Sequence, residues 1–186
     1  ILPGILERLH KAREKAKKEK RELSSYAIKI MMNAMFGVLA SPNSRYFNYD
    51  MANSITNFAQ MIIKLTASEV EKQGYKVIYS DTDSIFVETN LEKNKANTLG
   101  LEIEKKINKF YEKYTKEKYN RTSFLELEFE KQYLSLMIPA VRTKEPDKEK
   151  AAKKRYAGLK EKNGKEELEI VGLEAIRGDW TPAAQD

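Results

Sequence analysis

The sequence predicts an α+β fold, a helical hairpin followed by an antiparallel sheet with helices packed on one face. Three observations predict it. Residues 1–40 hold two stretches of helical periodicity joined by a short link. Two β-rich runs, Tyr75 to Tyr79 and Ser84 to Glu88, flank the turn Ser80-Asp81-Thr82-Asp83, the signature of a hairpin. Further on, Arg155 to Leu159 and Leu168 to Leu173 face each other across Asn163-Gly164, a second turn signal. Helices first and strands after is the α+β order.

Pro3 and Gly4 open the first helix, expected from about Ile5 to Arg21. Ser24 or Ser25 is positioned to cap a second helix reaching Leu39, with Ile28, Met31, Met32, Met35 and Leu39 as its packing face. Ser41-Pro42-Asn43 breaks the chain into a loop. Asp50 is then placed to cap a long helix with the stripe Ile55, Phe58, Ala59, Ile62, Ile63, Thr66 and Val70, ended by Gly74. After the acidic hairpin, Leu99 to Tyr119 is amphipathic and helical. Phe124 to Glu130 alternates outward acids with inward Leu125, Leu127 and Phe129, and Gln132 to Ile138 reads as a strand. Arg142 to Ala152 is almost wholly charged and reads as a mobile loop.

Composition narrows the chemistry. The 186 residues are 41% hydrophobic and carry a net charge of +6, which suits a globular protein that meets a polyanion without demonstrating one. There is no cysteine and one histidine, His10, so thiolate metal sites, disulfides and histidine triads are out of reach. Carboxylates, lysines, arginines and hydroxyls must do the work. No apolar run approaches the roughly 20 residues of a membrane span, and the expected location is the cytoplasm, with no membrane partner.

Asp81 and Asp83 sit two residues apart at the hairpin tip, where a tight turn brings both carboxylates to one exposed spot. Two like charges that close repel unless a cation lies between them, and Mg²⁺ takes one or two carboxylates and completes its shell with phosphate oxygens and water. An isolated Asp-Thr-Asp is more often an ordinary turn than a metal site. Ile78, Ile85 and Val87 raise the odds by anchoring the turn in two strands. On the second helix, Lys29, Asn33, Phe36 and Gly37 share one face: a cation, an amide, a flat ring and a gap suited to a nucleoside triphosphate. Arg13 and Lys17, four apart on the first helix, can reach the same anion. Taken alone, Lys29 reads as a surface lysine. Lys153-Lys154-Arg155-Tyr156 fits contacts to a nucleic-acid backbone, although a solvated strand end is an equal reading.

Together these segments resemble family B DNA polymerases over nearly the whole chain. The family's fingers motif Lys-x-x-x-Asn-Ser-x-Tyr-Gly is matched by Lys29 to Gly37, with Ala34 and Phe36 in place of the serine and tyrosine. Its palm motif Tyr-Gly-Asp-Thr-Asp-Ser is matched by Tyr79 to Ser84, with Ser80 for the glycine, a change expected to strain the turn modestly. Leu125 to Glu130 is similar to a palm strand, Lys153 to Gly158 to the primer-template segment, and Gly172 to Trp180 to the motif preceding the thumb. The short link between Arg13 and Lys29, and the ending Asp179 to Pro182, resemble the DNA polymerase II subgroup.

The resemblance implies a fingers hairpin over residues 1–40 and a palm over 41–186, without thumb, exonuclease or N-terminal domains. It implies Mg²⁺, two ions in a complete site, on Asp83 and less firmly Asp81. Lys29, Arg13 and Lys17 would bind the triphosphate of a deoxynucleotide, with Asn33, Phe36 and Gly37 near the nascent pair. Lys153, Lys154, Arg155 and Tyr156 would hold primer-template DNA, assisted by Arg177. The reaction is attack of a primer 3′-hydroxyl on the α-phosphate. The family also needs a further palm aspartate in an Asp-x-x-Ser-Leu-Tyr-Pro-like motif, which this sequence lacks. The chain is therefore expected to be an excised fragment or one subunit of a split polymerase, inactive until a second chain or segment supplies that aspartate. The alternatives are a non-catalytic DNA-binding or assembly subunit and, ranked lower, a Mg²⁺-dependent nuclease that leaves the Lys29 helix unexplained.

Overall fold

The computed structural model describes residues 2–141, 150–162, 164–178, 181 and 183. It is α+β, with four α-helices and antiparallel strands among the described residues. The chain divides into two compact units, Ile1–Met61 and Ile62–Asp186.

In the first unit, α1 (Leu2–Lys18) and α2 (Glu22–Ala40) form the expected hairpin. The link is tight: Lys20 adopts φ +53, and the Arg21 amide donates to the Ala16 carbonyl at 2.9 Å. Neither Ser24 nor Ser25 caps α2, because the helix begins earlier, after Arg21. Ala16 is buried under the link. The expected methionine packing holds only in part, since Met31 is 52% exposed while Met32 and Met35 are half-buried. Contrary to the sequence expectation, α2 is long and apolar enough to cross a membrane by length and composition. Lys29 and Asn33 interrupt its middle, and Glu22 opens it.

Helix α3 (Tyr49–Lys72) runs across the boundary between the units. Its cap is Asn48, whose Oδ1 accepts the Met51 amide at 2.9 Å; Asp50 lies one residue inside the first turn. The predicted stripe is buried only in its second half, at Ile62, Thr66 and Val70, whereas Ile55 and Phe58 are about two-fifths exposed at 42% and 41%. Periodicity identifies a face and says nothing about what covers it. Gly74 at φ +89 turns the chain out of the helix.

The second unit is built on α4 (Lys93–Tyr119). Its stripe Ala96, Leu99, Ile103, Ile107 and Tyr111 is buried, and Ala96 extends it a turn before the expected start at Leu99. Thr66 and Tyr111 join α3 to α4 by a buried hydroxyl pair at 2.5 Å.

Strands β1 (Lys76–Asp81) and β2 (Ser84–Glu88) pair as the antiparallel hairpin. A bulge between Val77 and Tyr79 leaves Ile78 outside the ladder and 37% exposed. Ile78 is therefore not an anchor; Tyr79, 7% exposed, takes that place. Strands β3 (Ser135–Met137), β6 (Tyr156–Lys162) and β7 (Lys165–Val171) form a second ladder in the order β3-β6-β7. A third pairs β4 (Ala140–Val141) with β5 (Lys150–Ala151). Residues 142–149 of the expected charged loop, Asn163 of the predicted turn, and Asp179, Trp180 and Pro182 of the terminal motif lie outside the described residues.

Phe124 to Glu130 is extended and alternates exposed with half-buried residues as expected, but it pairs with no strand among the described residues. Side chains of α4 take the partner's role. Asn108 accepts the Leu127 amide at 2.8 Å and donates to the Leu127 carbonyl at 2.9 Å, while Glu104 accepts the Phe129 amide at 2.7 Å. Phe129 seats its ring on Gly100, where a Cβ would collide with it.

Candidate active site at the β1–β2 tip

Asp81 closes β1 opposite Ser84, leaving Thr82 and Asp83 as the turn. The turn is drawn tight by the Asp83 amide donating to the Asp81 carbonyl at 2.6 Å, and by the Ser84 hydroxyl donating to the same carbonyl at 3.1 Å. Thr82 carries φ +54, a left-handed conformation that is an outlier for a β-branched residue. Ser80 lies inside β1 and is not among the positive-φ residues, so the strain expected there sits two residues later. Asp83 is exposed and Asp81 half-buried.

The basic segment is brought to this tip. The Lys154 ammonium lies 3.1 Å from Asp81 Oδ2 and 3.3 Å from Thr82 Oγ1, and the Lys154 backbone amide donates to the Tyr79 hydroxyl at 2.7 Å. Thr82 Oγ1 in turn donates to Asp81 Oδ1 at 3.1 Å. Lys154 has φ +58, and Gly172 passes so close beneath it that a Cβ there would strike the Lys154 carbonyl.

The other residues of the basic segment diverge from one another. Lys153 is exposed. Arg155 turns away to Glu174 in a half-buried ion pair at 2.9 Å. Tyr156 is a packing residue: its ring lies 6.3 Å from Tyr79, 5.4 Å from Phe86 and 6.3 Å from Tyr133, and Phe86 stacks on Tyr133 at 6.2 Å. Arg177 is half-buried at the end of a 3₁₀ turn, Glu174–Ile176. This aromatic floor, which fixes β1–β2 against β6, was missed by sequence reasoning; its signal was tyrosine and phenylalanine on the inward face of several strands.

A charged cluster lies beyond the floor. Burial would pull the Lys131 ammonium down, but its hydrogen bond to Glu169 at 2.7 Å outweighs this and helps push it above the ordinary range. Burial pushes the Tyr133 phenol up to about 12, and hydrogen bonds from Lys131 and then Lys160 hold Glu169 below the usual carboxylate range.

Within the first unit, the hairpin brings three of the expected nucleotide-binding residues together. Arg13, Lys17 and Lys29 line a cleft of about 640 Å³, joined by Lys20, Arg21 and Tyr26. Glu22 is the one acid in that lining. The Arg13 Nε is buried and has no hydrogen-bond partner among the described residues, and Lys17 lies 3.5 Å from Glu14. Asn33, Phe36 and Gly37 are exposed farther along α2 and do not line the cleft. A Cβ on Gly37 would meet nothing within 4 Å, so the glycine leaves open space. Lys20 and Arg21 were missed because they sit in the link.

The tip can be tested as a Mg²⁺ site. Among the described residues no three acids or histidines converge, and Asp81 and Asp83 are the two carboxylates of the turn. Those are hard oxygen donors of the kind Mg²⁺ uses when phosphate and water complete its shell. Asp81 already holds a cation, the Lys154 ammonium, as a stand-in. The residues fit a partial site.

A family model described as DNA polymerase family B matches residues 1–186. The chain is 37% identical to DNA polymerase II of Escherichia coli over 99% of its own length and 23% of that protein. It is 31% identical to DNA polymerase 2 of Aeropyrum pernix over 86% of this chain and 16% of that one. Against the DNA polymerase alpha catalytic subunit of Dictyostelium discoideum the identity is 30%, over 98% of this chain and 11% of the other. The chain thus spans a quarter or less of the length of these relatives.

Proposed function

The chain belongs to DNA polymerase family B, and on that premise we propose that it is the fingers and part of the palm of a DNA-directed DNA polymerase. In this reading residues 1–40 are fingers and 41–186 palm, acting in the cytoplasm on a deoxynucleoside triphosphate and primer-template DNA. The observation that carries it is the β1–β2 tip, where Asp81 and Asp83 flank the strained Thr82 and a lysine already compensates one of them.

Asp81 and Asp83 are the residues that would hold Mg²⁺. When bound, the metal lowers the cost of ionising the primer 3′-hydroxyl and steadies the charge on the phosphates. The chain's own residues do the rest. Arg13, Lys17 and Lys29, which line one basic cleft, neutralise and orient the triphosphate. Asn33, Phe36 and Gly37 offer an amide, a ring and open space to the nascent base pair. Lys153 and Lys154 meet the backbone of the primer-template. Arg155, paired with Glu174, and Tyr156, packed in the aromatic floor, shape that surface from beneath, and Arg177, whose amide donates to the Glu174 carbonyl, assists in holding the DNA. A further aspartate from a second chain or segment completes the acid set.

The chain alone, given Mg²⁺, primer-template and nucleotide, is expected not to extend the primer. Adding a polypeptide that bears the missing aspartate restores incorporation, and Asp83→Ala abolishes it. Extension by the chain alone overturns the claim of an incomplete site. A second reading is favoured by the two-acid limit among the described residues: a DNA-binding subunit without catalysis. Asp83→Ala that leaves both DNA binding and the complemented activity intact selects that reading.

A further inference from the structure

We infer that Lys154 is a built-in counter-ion of Asp81, which a divalent cation must displace, so that drawing the ammonium off to a DNA phosphate opens the tip to metal. This rests on the metal-binding reading of the tip.

Three features of Lys154 carry it. Its backbone is fixed: the amide is held by Tyr79, φ is +58, and Gly172 lies against its carbonyl. Its head is loose, because the side chain is 68% exposed and touches Asp81 and Thr82 at 3.1 and 3.3 Å. Exposed pairs of that kind exchange partners at small cost. The contacted atoms are also the ones a metal needs. With the ammonium in place Asp81 is neutralised at Oδ2, and its Oδ1 accepts the Thr82 hydroxyl. With the ammonium gone, Asp81 is left uncompensated two residues from the exposed Asp83, and a pair of like charges that near in the chain favours a divalent ion. Arg155, next in the chain, cannot play this part, since its guanidinium is committed to Glu174. A lysine is a compact point charge that changes partners without losing a bidentate geometry.

The test is a Mn²⁺ titration of the whole chain, read as paramagnetic broadening of the amide signals of residues 81–84. Lys154→Gln is expected to reach half-broadening at about three- to tenfold lower free Mn²⁺ than the wild type, because one positive charge beside the ion has been removed. Lys154→Asn, whose side chain tolerates the left-handed backbone, gives the same shift and guards against a misfolded variant. With primer-template duplex added at matched free Mn²⁺, the gap between wild type and Lys154→Gln closes. Equal or weaker Mn²⁺ binding by both variants overturns the counter-ion role. A gap that persists with DNA overturns the transfer of the ammonium to phosphate. Broadening of 81–84 that is absent from every protein, or indifferent to Asp83→Asn, overturns the metal-binding reading itself.

Discussion

Gly172 shows how a residue with no side chain controls one that has a long one. It lies at φ +61 against the Lys154 carbonyl, so both its backbone and its missing Cβ are required. Gly172→Ala is expected to cost about 2 kcal/mol in chemical denaturation and to shift the amide signals of Lys154 and Tyr79. Glu169 makes a pH-dependent contribution. Its folded pKa is depressed below the ordinary 4.5 by Lys131 and Lys160, so the stabilisation is fully present above the unfolded value and is lost as pH falls through the folded one. Denaturation midpoints measured between about pH 3 and pH 7 should therefore drop on the acid side. Glu169→Gln should lower stability at neutral pH and flatten that drop.

At the scale of elements, the extended stretch from Phe124 to Glu130 is held by α4 rather than by a neighbouring strand. Asn108 satisfies both backbone groups of Leu127. Replacing it with leucine strands a donor and an acceptor, with an expected loss of about 2 kcal/mol and faster hydrogen exchange at Leu127. The alternation of that stretch was legible in sequence, and its facing is as read. Its partner was not legible, because a single asparagine on a helix leaves no periodic trace. The acidic hairpin was legible for the opposite reason: β-branched and aromatic residues flank Asp81-Thr82-Asp83 and turn chemistry is local. Its meeting with Lys154 was not, since 73 residues separate Lys154 from Asp81 and only tertiary packing closes that gap. The half-exposed α3 stripe shows the same limit from the other side.

At the scale of the whole molecule, the proposed role carries a prediction about salt. The net charge of +6 and the exposed Lys153 and Lys154 predict DNA binding that weakens steeply with salt, by about 0.9 log unit per log unit of salt for each phosphate neutralised. Lys153→Ala should reduce that slope by roughly one phosphate's share, as read by fluorescence anisotropy over a salt series. The claim on which the rest depends is that the β1–β2 tip is a metal-dependent nucleotidyl-transfer site. The most direct measurement exchanges this chain for the matching stretch of the Escherichia coli DNA polymerase II relative and follows single-nucleotide incorporation, with and without Asp83→Asn. The chimaera should incorporate nucleotide, and the substitution should lower the rate about a hundred- to a thousandfold while primer-template binding is unchanged. Incorporation that survives Asp83→Asn undiminished would contradict the account.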